Sequence, residues 1–267
     1  MDWKRYSKEV RGLKGRGYDP IRLSEVVEKQ VIRPTLKMPL RRYYRFRYSK
    51  HYGGIYTADA VGCNLRCVFC WSYRYITNPN LGNFYSPEEV ARKLVDGAAY
   101  YGVEKVRVSG AEPTIGREHL IALIDQLKHE NVLFILETNG ILLSDEAYAK
   151  RIANQDNVHV RISLKGGSPS TFHKITGACE EGFELQLEAI RNLARLDANF
   201  HVSAVVSFST NDEIRSLLLV LKDIKDSLVT TFEPELVVLY PKVLERLMKA
   251  NLKPLLALTP KGEIVRM

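Results

Sequence analysis

Short apolar segments alternate with amphipathic segments of helical length six times between Gly54 and about Ala250. This rhythm restricts the fold more than any other feature of the chain. Strands joined through intervening helices run parallel, and their crossovers are right-handed. Strands are expected over 55–61, 103–109, 132–137, 158–164, 200–208 and 236–240. Between them, Ser86 is a cap, Pro87 the first helical residue and Gly102 the stop of a helix. Leu120, Ile121, Ile124 and Leu127 give one face of a helix over 117–130. Further helices are expected over 144–153, 168–175, 181–196, 211–224 (capped by Asn211 or Asp212) and 243–250. Before them, Ile21 to Val31 has helical spacing, with Ser24 as its cap. The tail, 252–267, is expected to return as a short strand. The class is α/β, and the pattern leaves an open doubly wound sheet and a full or partial barrel as its two forms. In a barrel the reacting residues sit at the C-terminal ends of the strands.

The first strand runs into GCNLRCVFCWSY, Gly62 to Tyr73, which holds three of the four cysteines: Cys63, Cys67 and Cys70. Thiolates this close surround one inorganic object. Soft sulfur ligands select zinc, copper(I) or an iron–sulfur cluster. A structural zinc site takes a fourth protein ligand, but Cys179 is far along the chain and the nearest histidine is His51. Three thiolates with one open position suit a 4Fe–4S cluster that leaves an iron free. Three cysteines in one loop are no disulfide framework, so a reducing, cytoplasmic setting is expected. No apolar run is long enough to span a bilayer, and the N-terminus lacks a secretory signal.

The spacing CxxxCxxC, with Phe69 before the last cysteine, resembles the signature of the radical SAM superfamily. The order of the later motifs is most similar to that of the glycyl-radical-enzyme (pyruvate formate-lyase) activating enzymes. The resemblance covers about residues 54–245 and implies a partial (β/α)6 TIM-like barrel. It implies one 4Fe–4S cluster on Cys63, Cys67 and Cys70, with S-adenosylmethionine on the open iron. Reductive cleavage of that cofactor would give a 5′-deoxyadenosyl radical that takes hydrogen from a substrate. SGAEPT, Ser109 to Thr114, is similar to the GGEP motif, with Ala111 in place of the second glycine. Gly110, Ala111 and Glu112 would therefore hold the methionyl end. Thr138 and Asn139 of ETNG are further cofactor contacts by the same likeness. So are Ser163 and Lys165 of RISLKGG, where Ser163 stands in the place of an aspartate. A low-potential electron donor is implied as a partner.

Charge bears on the substrate. Residues 1–50 carry 15 Lys+Arg against 5 Asp+Glu, which leaves −2 of the chain's net +8 for the rest. Basic and aromatic residues interleave from Arg41 to Lys50. Such a mixture can bind nucleic acid; the reading preferred here is an arm whose aromatics pack while its charges stay solvated. The chain is thus divided into a basic extension (1–53), a core barrel (54–250) and a tail (251–267). The substrate is expected to be a protein, as for the activases, an RNA or a small metabolite, read by the extension, the loop 71–85 and the tail. The rival is a non-enzymatic iron–sulfur or zinc protein that binds nucleic acid through its basic arm. Cys179 is expected to be a small buried apolar residue, and His201 a strand-start residue near the surface.

Overall fold

The computed structural model describes residues 17–267, so residues 1–16 of the expected extension lie outside the described part. Asp19 opens the first helix, Pro20–Val31, by accepting from the N–H groups of Ile21 (2.8 Å) and Arg22 (3.3 Å). Ser24 is not its cap: it lies in the second turn and donates to Ile21 O (2.6 Å). The strands are β1 (Ile32–Arg33), β2 (Leu40–Ser49), β3 (Ile55–Ala60), β4 (Asn83–Tyr85), β5 (Lys105–Ser109), β6 (Leu133–Thr138), β7 (Val158–Leu164), β8 (Phe200–Val205) and β9 (Glu233–Glu235). A separate hairpin pairs β10 (Leu256–Leu258) with β11 (Ile264–Arg266) in the tail.

In the nine-stranded sheet the order is β1-β2-β3-β5-β6-β7-β8-β9, with β4 on β2. From β3 to β9 every pairing is parallel. These six strands with their crossover helices are the expected partial (β/α)6 barrel, and the sheet does not close on itself among the described residues. The helix caps follow local chemistry. Ser86 and Glu89 form a reciprocal capping box at Pro87–Tyr101, and Gly102 ends it in the left-handed conformation. The helix Asn211–Ile224 has Thr210, not Asn211 or Asp212, as its cap, because Glu213 stands where it can complete a second box.

Two strands differ from expectation. The interleaved arm is β2, paired antiparallel with β3. Interleaving is the two-residue alternation of a strand. The Phe46 and Tyr48 rings lie toward the helix Pro87–Tyr101, against Lys93 and Tyr101, while Arg45 and Arg47 reach Asp59 on the other face. The aromatics pack as expected, but the charges are not all solvated: Arg41 is 1% exposed and donates to Glu112 O (2.7 Å). The last barrel strand is Glu233–Glu235 rather than 236–240. Its position at the sheet edge tolerates Pro234, and its carboxylates are drawn to Arg161 (2.8 and 2.6 Å). Val237 instead joins a small second core with Ile175, Val205, Phe208, Val243 and Leu247.

Parallel strands covered on both faces are usually apolar throughout. Here only the face toward the helices is: Val106, Val108, Phe134, Leu136, Val160, Ile162, Val202 and Ala204 are buried there. The inner face carries Thr57, Asp59, Arg107, Glu137, Arg161, Ser163 and Ser203. Arg107 donates to Thr57 (3.0 Å) and Glu137 (2.7 Å), and Tyr52 donates to Glu137 (2.6 Å). The barrel therefore encloses a polar, ion-paired interior instead of the layers of branched side chains that fill a closed barrel.

One buried histidine sets an acid limit. His119 donates through Nδ1 to Pro39 O (2.8 Å) and accepts at Nε2 from the Tyr43 hydroxyl (3.0 Å). Burial pushes its pKa down to about 3. The folded value lies below the unfolded one, so the unfolded chain takes up the proton first. This contribution is neutral above about pH 6.5 and erodes stability as pH falls towards 3. The expected loss between pH 6.5 and 4.5 is on the order of 2 kcal/mol. Urea unfolding at the two pH values checks it. His119→Gln, which can keep both hydrogen bonds, should flatten that step, and a parallel fall in both proteins would refute the assignment.

Candidate active site

Three loops meet at the C-terminal ends of β3, β5 and β6. Gly62 begins the cysteine loop with φ +87°, and a Cβ there would lie 2.6 Å from Val27, so the first helix packs where only glycine fits. Gly62 O accepts from Glu112 N–H (3.1 Å), which ties the cysteine loop to the loop after β5. The Cys63 thiol accepts from Leu65 N–H (3.3 Å). Asn64, fully buried, accepts at Oδ1 from Asn139 Nδ2 (2.7 Å), which ties the loop to the end of β6. Further along, Val68 N–H donates to Ile175 O (3.0 Å). Arg246, from the helix Pro241–Lys249, donates to Val68 O (2.9 Å) and Cys70 O (2.5 Å). Ser72 Oγ lies 3.3 Å from the Cys70 thiol and donates to Gly110 O. The loop is thus anchored by backbone bonds on several sides, independent of any ligand.

Glu112 is 2% exposed. Its Oε1 accepts from Thr114 N–H (3.0 Å), Thr114 Oγ1 (2.6 Å) and Thr138 Oγ1 (2.6 Å), and its Oε2 from Asn139 N–H (2.8 Å). A carboxylate offers about four acceptor sites over its two oxygens, so Oε2 retains capacity for one more donor. Thr138 and Asn139 are held by Glu112 rather than pointing freely into the barrel. Gln186 braces the same end from the helix Glu181–Arg195: Nε2 donates to Asn139 O (2.5 Å) and Ser163 O (3.2 Å), and Oε1 accepts from Lys165 N–H (3.2 Å). Ser163 donates to Glu235 (2.8 Å) and accepts from Lys165 Nζ (2.5 Å). The Glu235 carboxyl is held below its usual range: burial opposes ionisation, and the charges of Lys165 and Arg161, with hydrogen bonds from Arg161 and Ser163, outweigh it.

Every residue named from the sequence as a cofactor contact lies on these strand ends or loops. Cys179 stands apart, with its N–H on Tyr18 O (2.8 Å) and the residue 8% exposed, as expected of a small buried residue. His201, near the start of β8, is bonded to His159 (2.6 Å) and Glu233 (3.2 Å), at the end of the strands opposite the cysteine loop. Sequence reasoning missed Asn64, Ser72, Gln186, Glu235 and Arg246. For Gln186 there was a signal, a polar residue on the apolar face of its helix; for Arg246 there was none.

The donor set fits an iron–sulfur cluster. Burial pushes the Cys63 thiol well up, with the charges of Glu112 and Cys67 adding to it. Cys67 is pushed up to about 12 by burial, countered by Lys165 and reinforced by Cys70. Cys67 thus opposes ionisation of Cys63, and Cys70 that of Cys67; a cationic centre is what would let Cys63 and Cys67 become thiolates together. Among the described residues no three His, Cys, Asp or Glu side chains converge on the position of a single ion. A cluster is gripped differently, with its cysteine thiolates spread over several irons. Asn64 Nδ2 is buried beside Cys63 without a protein partner, the mark of a polar pocket that a ligand completes.

A model described as the radical SAM superfamily matches residues 59–221, more than half of the chain. The chain is 31% identical over 160 residues to the probable GTP 3′,8-cyclase of Methanococcus maripaludis, covering 58% of this chain and 51% of that one. It is 31% identical over 153 residues to the GTP 3′,8-cyclase of Petrotoga mobilis, covering 56% and 46%. It therefore spans about half the length of these curated relatives. Among solved structures, Streptococcus suis SuiB bound to S-adenosylmethionine superposes with a TM-score of 0.52 at 18% identity over 62% of this chain and 36% of that one. TYW1 with a lysine–pyruvate adduct bound gives 0.51 at 14% identity over 90% and 93%. At these identities the structures attest the fold alone.

Proposed function

The chain belongs to the radical SAM superfamily and is an enzyme; from that premise we propose that Cys63, Cys67 and Cys70 hold its cluster and that the loops of Gly110–Glu112, Thr138–Asn139 and Ser163–Lys165 hold S-adenosylmethionine. When bound, these cofactors supply one-electron cleavage of a sulfonium to methionine and a 5′-deoxyadenosyl radical, with the electron coming from an external reductant. The observation that carries the reading is the pair of bonds joining the three motif loops at one barrel end: Glu112 N–H to Gly62 O and Asn139 Nδ2 to Asn64 Oδ1.

The protein's own part is to position and to shield. Glu112 fixes the turn of Asn139, and the spare acceptor site on its Oε2 suits an ammonium group. Gly110 O and Glu112 O are already engaged by Ser72 and Arg41, so Ala111 O is the carbonyl of this loop proposed for the same end of the cofactor. Lys165 places a cation near Cys67 and Glu235. The polar inner face, with Arg107 and Arg161 buried in ion pairs, favours a small polar substrate over an apolar one.

The motif pattern pointed to activases and hence to a protein, or else to an RNA or a small metabolite. The curated relatives are named GTP 3′,8-cyclases. We therefore take a phosphorylated purine nucleotide as the substrate class to test first. The non-enzymatic alternative is disfavoured by the family match. No helix among the described residues is long and apolar enough to cross a membrane.

Anaerobic reconstitution of the whole chain tests the reading. The expected result is about four iron and four sulfide per chain and reductant-dependent release of 5′-deoxyadenosine. Deuterium from labelled GTP should appear in that product. Binding of one zinc, no cleavage of S-adenosylmethionine and salt-sensitive RNA binding would overturn it.

A further inference from the structure

We propose that Arg45 and Arg47 of β2, together with Trp71, form a binding subsite for the phosphate of a substrate that also carries a planar ring. The proposal rests on the reading above, that the open end of the barrel receives a substrate beside the cofactor loops. Both arginines lie outside the part of the chain that matches the superfamily, which begins at Asp59. The two cations are therefore supplied by β2, which pairs antiparallel with the first barrel strand β3, while Asp59 and Trp71 come from the matched part.

Arg45 and Arg47 both close on the carboxylate of Asp59, which is fully buried. Arg45 Nε and Nη2 each lie 2.7 Å from Oδ2. Arg47 Nε lies 2.8 Å from Oδ2, and its Nη2 3.4 Å from Oδ1. Two cations thus share one anion, and one positive charge is left over. Two guanidiniums present roughly ten N–H donors, of which Asp59 engages only the Nε and Nη2 groups. A strand-to-strand ion pair needs one arginine. A second, locked beside the first by the same oxygen, makes a preorganised fork for an oxyanion.

The ring of Trp71 stands 6.0 Å from Arg45 Cζ and 5.9 Å from Arg47 Cζ, and the residue is 52% exposed. An indole half in water beside two cations offers a stacking surface next to an anion site. Location ties the pair to the candidate active site. Trp71 follows Cys70 directly, and a Cβ placed on Gly110 would lie 2.9 Å from Asp59 Cβ. A phosphate held here would tether a ligand at the rim of the cofactor pocket.

The test is calorimetric titration of the reconstituted protein with pyrophosphate, ATP and adenosine, and separately with S-adenosylmethionine. Wild type should bind pyrophosphate and ATP in a salt-sensitive manner. Arg45→Gln and Arg47→Gln, made singly so that Asp59 keeps one partner, should each weaken pyrophosphate and ATP at least tenfold. Arg47→Lys, which keeps charge but not the fork, should recover part of the loss. Trp71→Ala should weaken ATP and leave pyrophosphate unchanged. Thermal melting shows that each variant folds. Absence of pyrophosphate binding to wild type, or undiminished binding by both folded glutamine variants, would overturn the proposal. Loss of S-adenosylmethionine binding with pyrophosphate binding intact would assign the pair to the cofactor's carboxylate and also overturn it. Cluster content and cofactor cleavage, measured on wild type alone, show separately whether the underlying reading fails.

Discussion

Cys67→Ala is expected to abolish both cluster assembly and cleavage of S-adenosylmethionine, whereas Cys179→Ala leaves cluster content at the wild-type level. The two residues are similarly buried, at 7% and 8% exposure, so burial does not separate them. Position does. Cys67 lies between Cys63 and Cys70 electrostatically as well as in sequence: its charge opposes ionisation of Cys63, and that of Cys70 opposes its own. On the proposed assignment, removing it takes away the ligand of one iron and leaves two thiols, too few to retain a cluster. Cys179 sits instead with Tyr18, Asp19 and Glu181, and the main influences on its thiol are burial and the charges of Glu181 and Asp19. Its truncation removes one small buried atom and costs about 1 kcal/mol or less of stability. Iron and sulfide analysis with visible absorption under anaerobic conditions reads both variants. Loss of iron from the Cys179 protein would mean that the ligand set is wrong.

What could be read in advance follows from how local each feature is. The first five barrel strands and their helices are set by short-range signals: apolar runs, the box of Ser86 and Glu89, the stop at Gly102. The sixth strand was misplaced because its residues, Glu233, Pro234 and Glu235, look unlike a strand. They are held there by Arg161, 72 residues away in sequence from Glu233. The arm was read by charge when its alternation was the informative property, so β2 was missed as a strand. That the cysteine loop and Glu112 would lie at strand ends could be read because motif spacing is local. Arg246 could not, because its role is to reach the carbonyls of Val68 and Cys70 across 178 and 176 residues. Nothing near Arg246 in the sequence marks it.

Glu112→Ala is expected to lower the stability of the metal-free protein by about 2–6 kcal/mol and to abolish measurable binding of S-adenosylmethionine. Four donors converge on this carboxylate. The hydroxyls of Thr114 and Thr138 can turn to other acceptors. The backbone N–H groups of Thr114 and Asn139 cannot, and each buried donor left without a partner costs about 1–3 kcal/mol. Against a total stability of about 5–15 kcal/mol, such a loss is large. Glu112→Gln should fall in between. Its amide oxygen can serve the three donors at the Oε1 position, but its NH2 group then faces Asn139 N–H, donor against donor. One clash of this kind costs about 1–3 kcal/mol. The same clash pushes on the turn whose Asn139 side chain holds Asn64, the neighbour of Cys63, so binding should weaken before the fold does. Urea unfolding of the metal-free proteins, paired with titration of the reconstituted ones, gives both quantities. A glutamine variant as stable as wild type would show that the strand ends are held by something other than this carboxylate. If that variant bound the cofactor normally while less stable, Glu112 would be a brace of the barrel end alone, and the ammonium would have to find its acceptor elsewhere.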